Sequence, residues 1–287
     1  MLLSILVVSR SHKLLNQMLS SISNATSLDK HNVEILCSWN GKKNDESQII
    51  NSSGYNFKIS ERQKYHFATN INSLAKHALG EILLIINDDI ILDNKSIDYA
   101  IKELFDNSKV GLVTGKLRYK NGMLQHAGIT FDYMNTPYHK FEKSIKANSD
   151  LICKNNEIIP VASGALIFIK KDLFLEIGFS EKYEICGEDV ELSLDIREKK
   201  DYIILLCPKV SGIHLSSATR KKNNQYGNNN NDLIRMKRRR EHFINNVSKN
   251  QILDELNDLT RQITILNQIE QKRKFLKNFL KKLIKNN

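Results

Sequence analysis

The sharpest hydrophobic pattern in the chain lies at Glu81–Leu92, EILLIINDDIIL, where five apolar residues run into Asn87-Asp88-Asp89 and three more follow. A short unbroken apolar run bounded by polar residues predicts a strand buried on both faces. The same reading along the chain predicts strands at Leu2–Val8, Val33–Cys37 and Phe57–Ser60. It predicts helices around Leu14–Ile22 and over Thr69–Leu79. Strand, helix, strand, helix, strand in this order predicts an α/β domain with a largely parallel sheet flanked by helices. Further on, Lys95–Asn107 reads as a surface helix. Val110–Val113 and Leu117–Tyr119 read as two strands with Gly115 between them, and Ile129–Phe131 as another. Residues 132–157 are polar and irregular. Val161–Ile169 reads as a strand interrupted by Ser163-Gly164, Asp172–Ile177 as a short helix, and Gly187–Lys199 as a helix opened by Glu188-Asp189. Tyr202–Leu206 and Val210–Leu215 flank Pro208 as strands, and Arg220–Asp232 reads as a mobile loop.

Ligands of open α/β sheets bind outside the carboxyl ends of the strands. Ser9-Arg10, Trp39-Asn40 and Asn87-Asp88-Asp89 all fall at such ends. Paired carboxylates there are costly to desolvate unless a cation neutralises them, and a divalent metal carrying phosphates is an economical partner. Solvated strand-end acids are the plainer alternative. Gly164, a glycine inside a strand, marks a close approach of ligand or backbone. Acids such as Glu188 and Asp189 in a first helical turn also serve simply to cap free N–H groups and complement the dipole. His214, set among apolar residues, is by itself as well read as a satisfied core histidine.

Composition narrows the class. With 287 residues and 41% hydrophobic content, the chain can build one large domain with an appendage. No apolar run approaches the ~18 residues of a membrane-spanning helix, and the N-terminal run lacks the basic start of a signal peptide. Cys37, Cys153, Cys186 and Cys207 are scattered, which fits a reducing cytoplasm better than a zinc site or disulfide framework. The net charge of +11 is concentrated: residues 1–231 carry 29 Lys+Arg against 26 Asp+Glu, residues 232–287 carry 14 against 6. The body is nearly balanced, so the charge does not argue for a nucleic-acid partner.

Seven segments, in order, resemble the family 2 glycosyltransferases, inverting enzymes of the GT-A fold: LSILVVSR, VEILCSWNG at 33–41, ATNINSLAKHALGEILLIINDD at 68–89, VGLVTGKLRYKNGMLQHAG at 110–128, VASGALIFIKKDLFLEIGFSEKY at 161–183, GEDVELSLDIREK at 187–199 and CPKVSGIHL at 207–215. The resemblance spans about residues 2–245 and implies a Rossmann-like GT-A domain at 1–231, followed by a basic helical extension at 232–287. It places Asn87-Asp88-Asp89 on the family's D-x-D motif. Asp89, with Asp88 and His214, would then hold a Mg²⁺ or Mn²⁺ bearing the donor's diphosphate. Glu188-Asp189 falls on the E-D motif, which makes Asp189 the base, with Glu188 as fallback. Ser9, Arg10, Trp39, Asn40, Asn70, Asn87, Asp88 and Gly164 are the implied donor-binding positions. One departure is the run Cys37-Ser38-Trp39-Asn40-Gly41, with Trp39 where the family usually carries a base-contacting Asp. Trp39 stacks on the base or merely packs, and UDP- and dTDP-sugars both stay open.

The chemistry asks for these residue types. Displacing a sugar from a nucleoside diphosphate needs charge neutralisation on the leaving group and a carboxylate to take the acceptor hydroxyl's proton. The implied acceptor is a glycan or a lipid-linked glycan. The Asn-, Lys- and Ile-rich composition, typical of AT-rich bacterial genomes, associates the chain with lipopolysaccharide or capsule synthesis. In the extension, Ile252, Leu256, Leu259, Ile263 and Leu266 follow coiled-coil spacing, and Gln271–Lys285 carries seven Lys/Arg and no acid with apolar residues on one face. That pattern suits peripheral contact with an anionic membrane at its inner face, or self-association through 252–287. A nucleotidyltransferase would show a Gly-rich loop after Val8, and none is there. A non-catalytic scaffold acting through the tail would have no need to keep Asp89, Asp189 and His214. Nucleic-acid binding would want interleaved surface aromatics.

Overall fold

A computed structural model of the chain describes residues 1–152, 154–215 and 230–285, excluding the side chains of 276 and 278–285. The predicted loop at 220–232 therefore lies mostly outside the described residues, as do Cys153 and most of the apolar face expected beyond Phe275.

Strand β1 (Leu3–Ser9), helix α1 (His12–Ala25), β2 (Val33–Trp39), β3 (Asn56–Ile59), α2 (Phe67–His77) and β4 (Ile82–Ile86) form the first half. Their strands pair in parallel in the order β4-β1-β2-β3. β5 (Ile90–Leu92), α3 (Ser96–Asp106), β6 (Val110–Arg118), β7 (Leu124–His126), β8 (Ile129–Phe131), β9 (Pro137–His139) and β10 (Glu157–Ile159) follow. Then come β11 (Leu166–Lys170), α4 (Lys171–Ile177), α5 (Glu188–Lys200), β12 (Ile203–His214), α6 (Asn230–Asn246) and α7 (Lys249–Lys285). β11 runs antiparallel between β4 and β6, β12 lies parallel to β6, and β10 closes the other edge. The result is one mixed ten-stranded sheet with a parallel core.

Alternation along the central strands fills two separate layers, as a period of two demands. Leu3, Ile5 and Val7 of β1, with Ile82, Leu84 and Ile86 of β4, pack on Leu15, Met18 and Leu19 of α1 and Ile97 of α3. Leu6 and Val8, with Leu83 and Ile85, face Ile71 and Leu74 of α2, Phe174 of α4 and Ile196 of α5. Both faces are buried, which is why these strands read as continuous apolar runs.

Two expectations are corrected. The strands at 110–113 and 117–119 are one strand, β6, because Gly115 does not break it. A Cβ there would lie 2.3 Å from the Val210 carbonyl oxygen, so the glycine admits the neighbouring strand's backbone. β12 likewise continues through Pro208. The register against β6 jumps between Cys207 and Ser211, and such an irregularity accommodates a residue with no N–H to donate.

The C-terminal helices are joined to the body by buried polar contacts. Asp232 accepts backbone N–H bonds from Glu184, Ile185 and Cys186, at 3.1, 2.8 and 3.2 Å, and so orders the loop ahead of α5. Among the described residues, no helix is long and apolar enough to cross a membrane, and Cys37, Cys186 and Cys207 are not in disulfides.

Candidate active site

The parallel register aligns the ends of three strands. Ser9 sits opposite Trp39 at the ends of β1 and β2, and β4 ends beside β1. Ser9 Oγ donates to Asp88 Oδ2 at 2.6 Å, and the Asn40 N–H donates to the Ser9 carbonyl at 2.7 Å. The convergence expected from strand ends is therefore present. Arg10 lies exposed beside it, with its guanidinium 3.4 Å from the centre of the Tyr65 ring.

The antiparallel half of the sheet brings the other residues to the same edge. β11 begins where β4 ends, and Asn87 N–H donates to the Ala165 carbonyl at 3.0 Å. The adjacent Gly164 N–H donates to Asp189 Oδ2 at 2.8 Å, while Val190 N–H holds Asp189 Oδ1 at 2.8 Å. Gly164 lies in the turn before β11 and not inside a strand as expected. A Cβ on it would stand 3.2 Å from Asp189 Cβ, so the absent side chain eases the close approach of this turn to the helix N-terminus. A carboxylate accepts about four hydrogen bonds, so Asp189 is oriented with acceptor capacity left over. Glu188 beside it is buried. β12 ends at His214, opposite Ile90, and Leu215 N–H donates to the Asp89 carbonyl at 2.9 Å.

His214 Nε2 is 3.0 Å from Asp89 Oδ1, and its Nδ1 is 2.7 Å from Gln125 Oε1. With Nδ1–H donated to Gln125, Nε2 is the atom presented beside Asp89. This oxygen and nitrogen are donors of the kind that hold Mg²⁺ or Mn²⁺ while substrate phosphates complete the shell. Asp88 faces the other way, toward Ser9. Burial pushes its carboxyl up to about 6; the Ser9 hydroxyl opposes that rise, Asp89 adds to it, and the Arg10 N–H and His214 oppose it. Among the described residues no three His, Cys, Asp or Glu side chains converge as a metal-holding group. Of the expected trio, the structure joins Asp89 to His214 and leaves Asp88 as their neighbour.

Two expected donor contacts turn inward. Trp39 is 1% exposed, packed in the core against Gly41, with its indole N–H donating to the Lys42 carbonyl at 3.3 Å. It packs, and at 1% exposure its ring offers no open face for a base to stack on. Asn70 is fully buried. Its amide donates to Ser38 Oγ at 2.8 Å and its oxygen accepts the His66 N–H at 2.7 Å, so it braces the end of β2. Gln125 and Asp232 were not anticipated. Gln125 stood in the quoted GMLQHAG segment, but its partner lies 89 residues away, and nothing local marks Asp232.

The family model described as "Glycosyl transferase family 2" matches residues 4–178. The chain belongs to this family. The domain is 27% identical over 170 residues to the O-antigen biosynthesis protein RfbC of Myxococcus xanthus, covering 57% of this chain and 13% of that protein. It is 24% identical over 176 residues to the poly-β-1,6-N-acetyl-D-glucosamine synthase of Staphylococcus epidermidis, covering 60% of this chain and 40% of that one. The chain thus spans well under half the length of these curated relatives. Its fold is that of GT-A glycosyltransferases. A GalNAc-T7 crystallised with UDP, GalNAc and Mn²⁺ superposes with a TM-score of 0.55 at 15% identity, covering 74% of this chain and 43% of its own. The mannosyltransferase PcManGT of Pyrobaculum calidifontis, in complex with GDP-Man and Mn²⁺, gives 0.56 at 13% identity, covering 94% and 75%.

Proposed function

We propose that this family 2 domain transfers a sugar, with inversion, from a nucleoside-diphosphate donor to a hydroxyl of a glycan or lipid-linked glycan in bacterial surface-polysaccharide assembly. The observation that carries the reading is the meeting, at one sheet edge, of the Asp89–His214 pair with Asp189 anchored on Gly164. Relatives named for O-antigen and poly-N-acetylglucosamine synthesis support the substrate class.

Asp89 and His214 would hold Mn²⁺ or Mg²⁺, with Asp88 close by, and a bound ion would supply Lewis-acid neutralisation of the departing diphosphate. Asn40, Asn87 and the Ser9-Arg10 turn line the donor end, where exposed Arg10 can meet phosphate charge. Asp189 takes the proton from the acceptor hydroxyl as that oxygen forms its bond to the anomeric carbon and the bond to the nucleoside diphosphate breaks. One base and no protein nucleophile means a single displacement. Gly164 and Val190 hold the carboxylate so that its free lone pairs point one way throughout.

The test is binding and transfer with a panel of UDP-, dTDP- and GDP-sugars, with and without Mn²⁺. One donor bound only with metal, lost in Asp89→Ala and retained in Asp189→Asn without turnover, is the expected result. A folded protein that binds no donor under any condition defeats the proposal.

A further inference from the structure

Helix α7 turns polar residues toward the body and leaves leucines outside. Asp258 is fully buried, taking Lys140 Nζ at 2.6 Å and the Gln262 amide at 2.9 Å. Gln251 Oε1 accepts from Arg197 Nε at 2.8 Å, and Glu255 pairs with Arg197 and Arg240. Meanwhile Leu256 is 52% exposed, Leu259 42%, Ile263 52% and Leu266 48%. At ~100° per residue these four form a stripe roughly a quarter-turn around the helix from the buried face. A quarter-turn of the helix would bury the stripe. It would also strip Arg197, 1% exposed, of its carboxylate partner, and leave Lys140, 2% exposed, with only the more distant Glu157 at 4.0 Å. The ion pairs lock the rotation, and the apolar stripe is left open.

We propose that the stripe is covered by the same helix of a second copy of this chain, packed antiparallel. Three observations choose this occupant. The intervals 256, 259, 263, 266 are three, four and three, so they read the same in both directions. A two-fold axis at Arg261 sets Leu256 against the partner's Leu266 and Leu259 against the partner's Ile263, which is knobs-into-holes geometry. The solvent-side rim, Asn257, Thr260, Thr264 and Asn267, is uncharged, so two copies meet without repulsion. A bilayer-facing stripe would be rimmed by cations. Between residues 250 and 269 the one basic residue is Arg261, and it is tied to Asp258 at 3.0 Å. Lastly, Glu270, which pairs with Lys274 at 2.8 Å, extends the stripe by one position, and a parallel pair in register would stack it on its own copy, whereas antiparallel pairing separates the two.

The test is sedimentation equilibrium of the full chain from about 1 to 100 µM, with flotation on phosphatidylglycerol vesicles alongside. The wild type is expected to dimerise, and Leu259→Glu with Ile263→Glu to weaken the dimer by at least ~100-fold, on the scale of two interface anchors lost. Because both side chains are already half exposed, the circular dichroism of the variant should match the wild type, and so should its Tm at concentrations low enough that the wild type is itself monomeric. A dimer indifferent to the two charges overturns the assignment of this surface. A chain monomeric throughout, or one that stays monomeric and floats with vesicles through these same residues, overturns the dimer.

Discussion

Two acidic pairs a hundred residues apart, Asp88-Asp89 and Glu188-Asp189, look alike in the sequence and sit in opposite environments. Asp88-Asp89 ends a strand, where burial and the like charge of its neighbour hold the Asp88 carboxyl up at about 6. Its second member lies 3.0 Å from an imidazole nitrogen. Asp189 begins a helix, and both of its oxygens are taken by backbone N–H groups. The first pair is short of positive charge and suited to a cation. The second is oriented and suited to receiving a proton. On the proposed reading, environment divides the chemistry between Asp89 and Asp189, two side chains of the same type.

If that division holds, damage to each pair appears in a different assay. Asp189→Asn should lower transfer by about 10³-fold, within the range of a lost general base, while leaving donor affinity within about threefold by calorimetry. Equal loss of donor binding would erase the distinction. Asp89→Ala should cost at least about 100-fold in Mn²⁺-dependent donor affinity, the upper end of what the loss of an outer partner costs or more. Titration of the donor with and without metal reads this directly.

Asp88 offers a test with no substrate. A carboxyl raised from its usual value to about 6 in the folded state is harder to ionise there than in the unfolded chain. It costs nothing below about pH 4 and destabilises increasingly up to about pH 6, above which the cost is constant. Metal-free Asp88→Asn should therefore be more stable than the wild type at pH 7.5, by up to about 3 kcal/mol, with the gap closing at pH 4 in urea titrations. A gap independent of pH would show that Asp88 is not strained by ionisation. The smallest effect belongs to Gln125→Leu. Loss of the acceptor for His214 Nδ1 should weaken Mn²⁺ binding about tenfold, and Gln125→Glu should restore most of it.

The central strands and the polar clusters at their ends were readable because each depends on neighbours in sequence: an apolar run followed by Asn87-Asp88-Asp89, a Gly-Glu-Asp opening a helix. The continuity of β6 through Gly115 and of β12 through Pro208 was not, since each strand is excused its irregularity by the other. The same holds at the site. Asp189 was legible as a candidate base by resemblance, but its anchoring on Gly164 is a contact across 25 residues. Asn70 and Trp39 look available in sequence, yet lie beneath the edge they were expected to line.

Local pattern thus determined the α/β alternation, the strand-end acids and the spacing of the leucines in α7, because those are properties of periods two and 3.6. Tertiary structure alone decided which way α7 faces. Lys140, Arg197 and Arg240 come from residues 15 to 118 positions away from their acidic partners. Buried charge has to be paired wherever the fold brings it, and in α7 that requirement outweighed burial of the leucines.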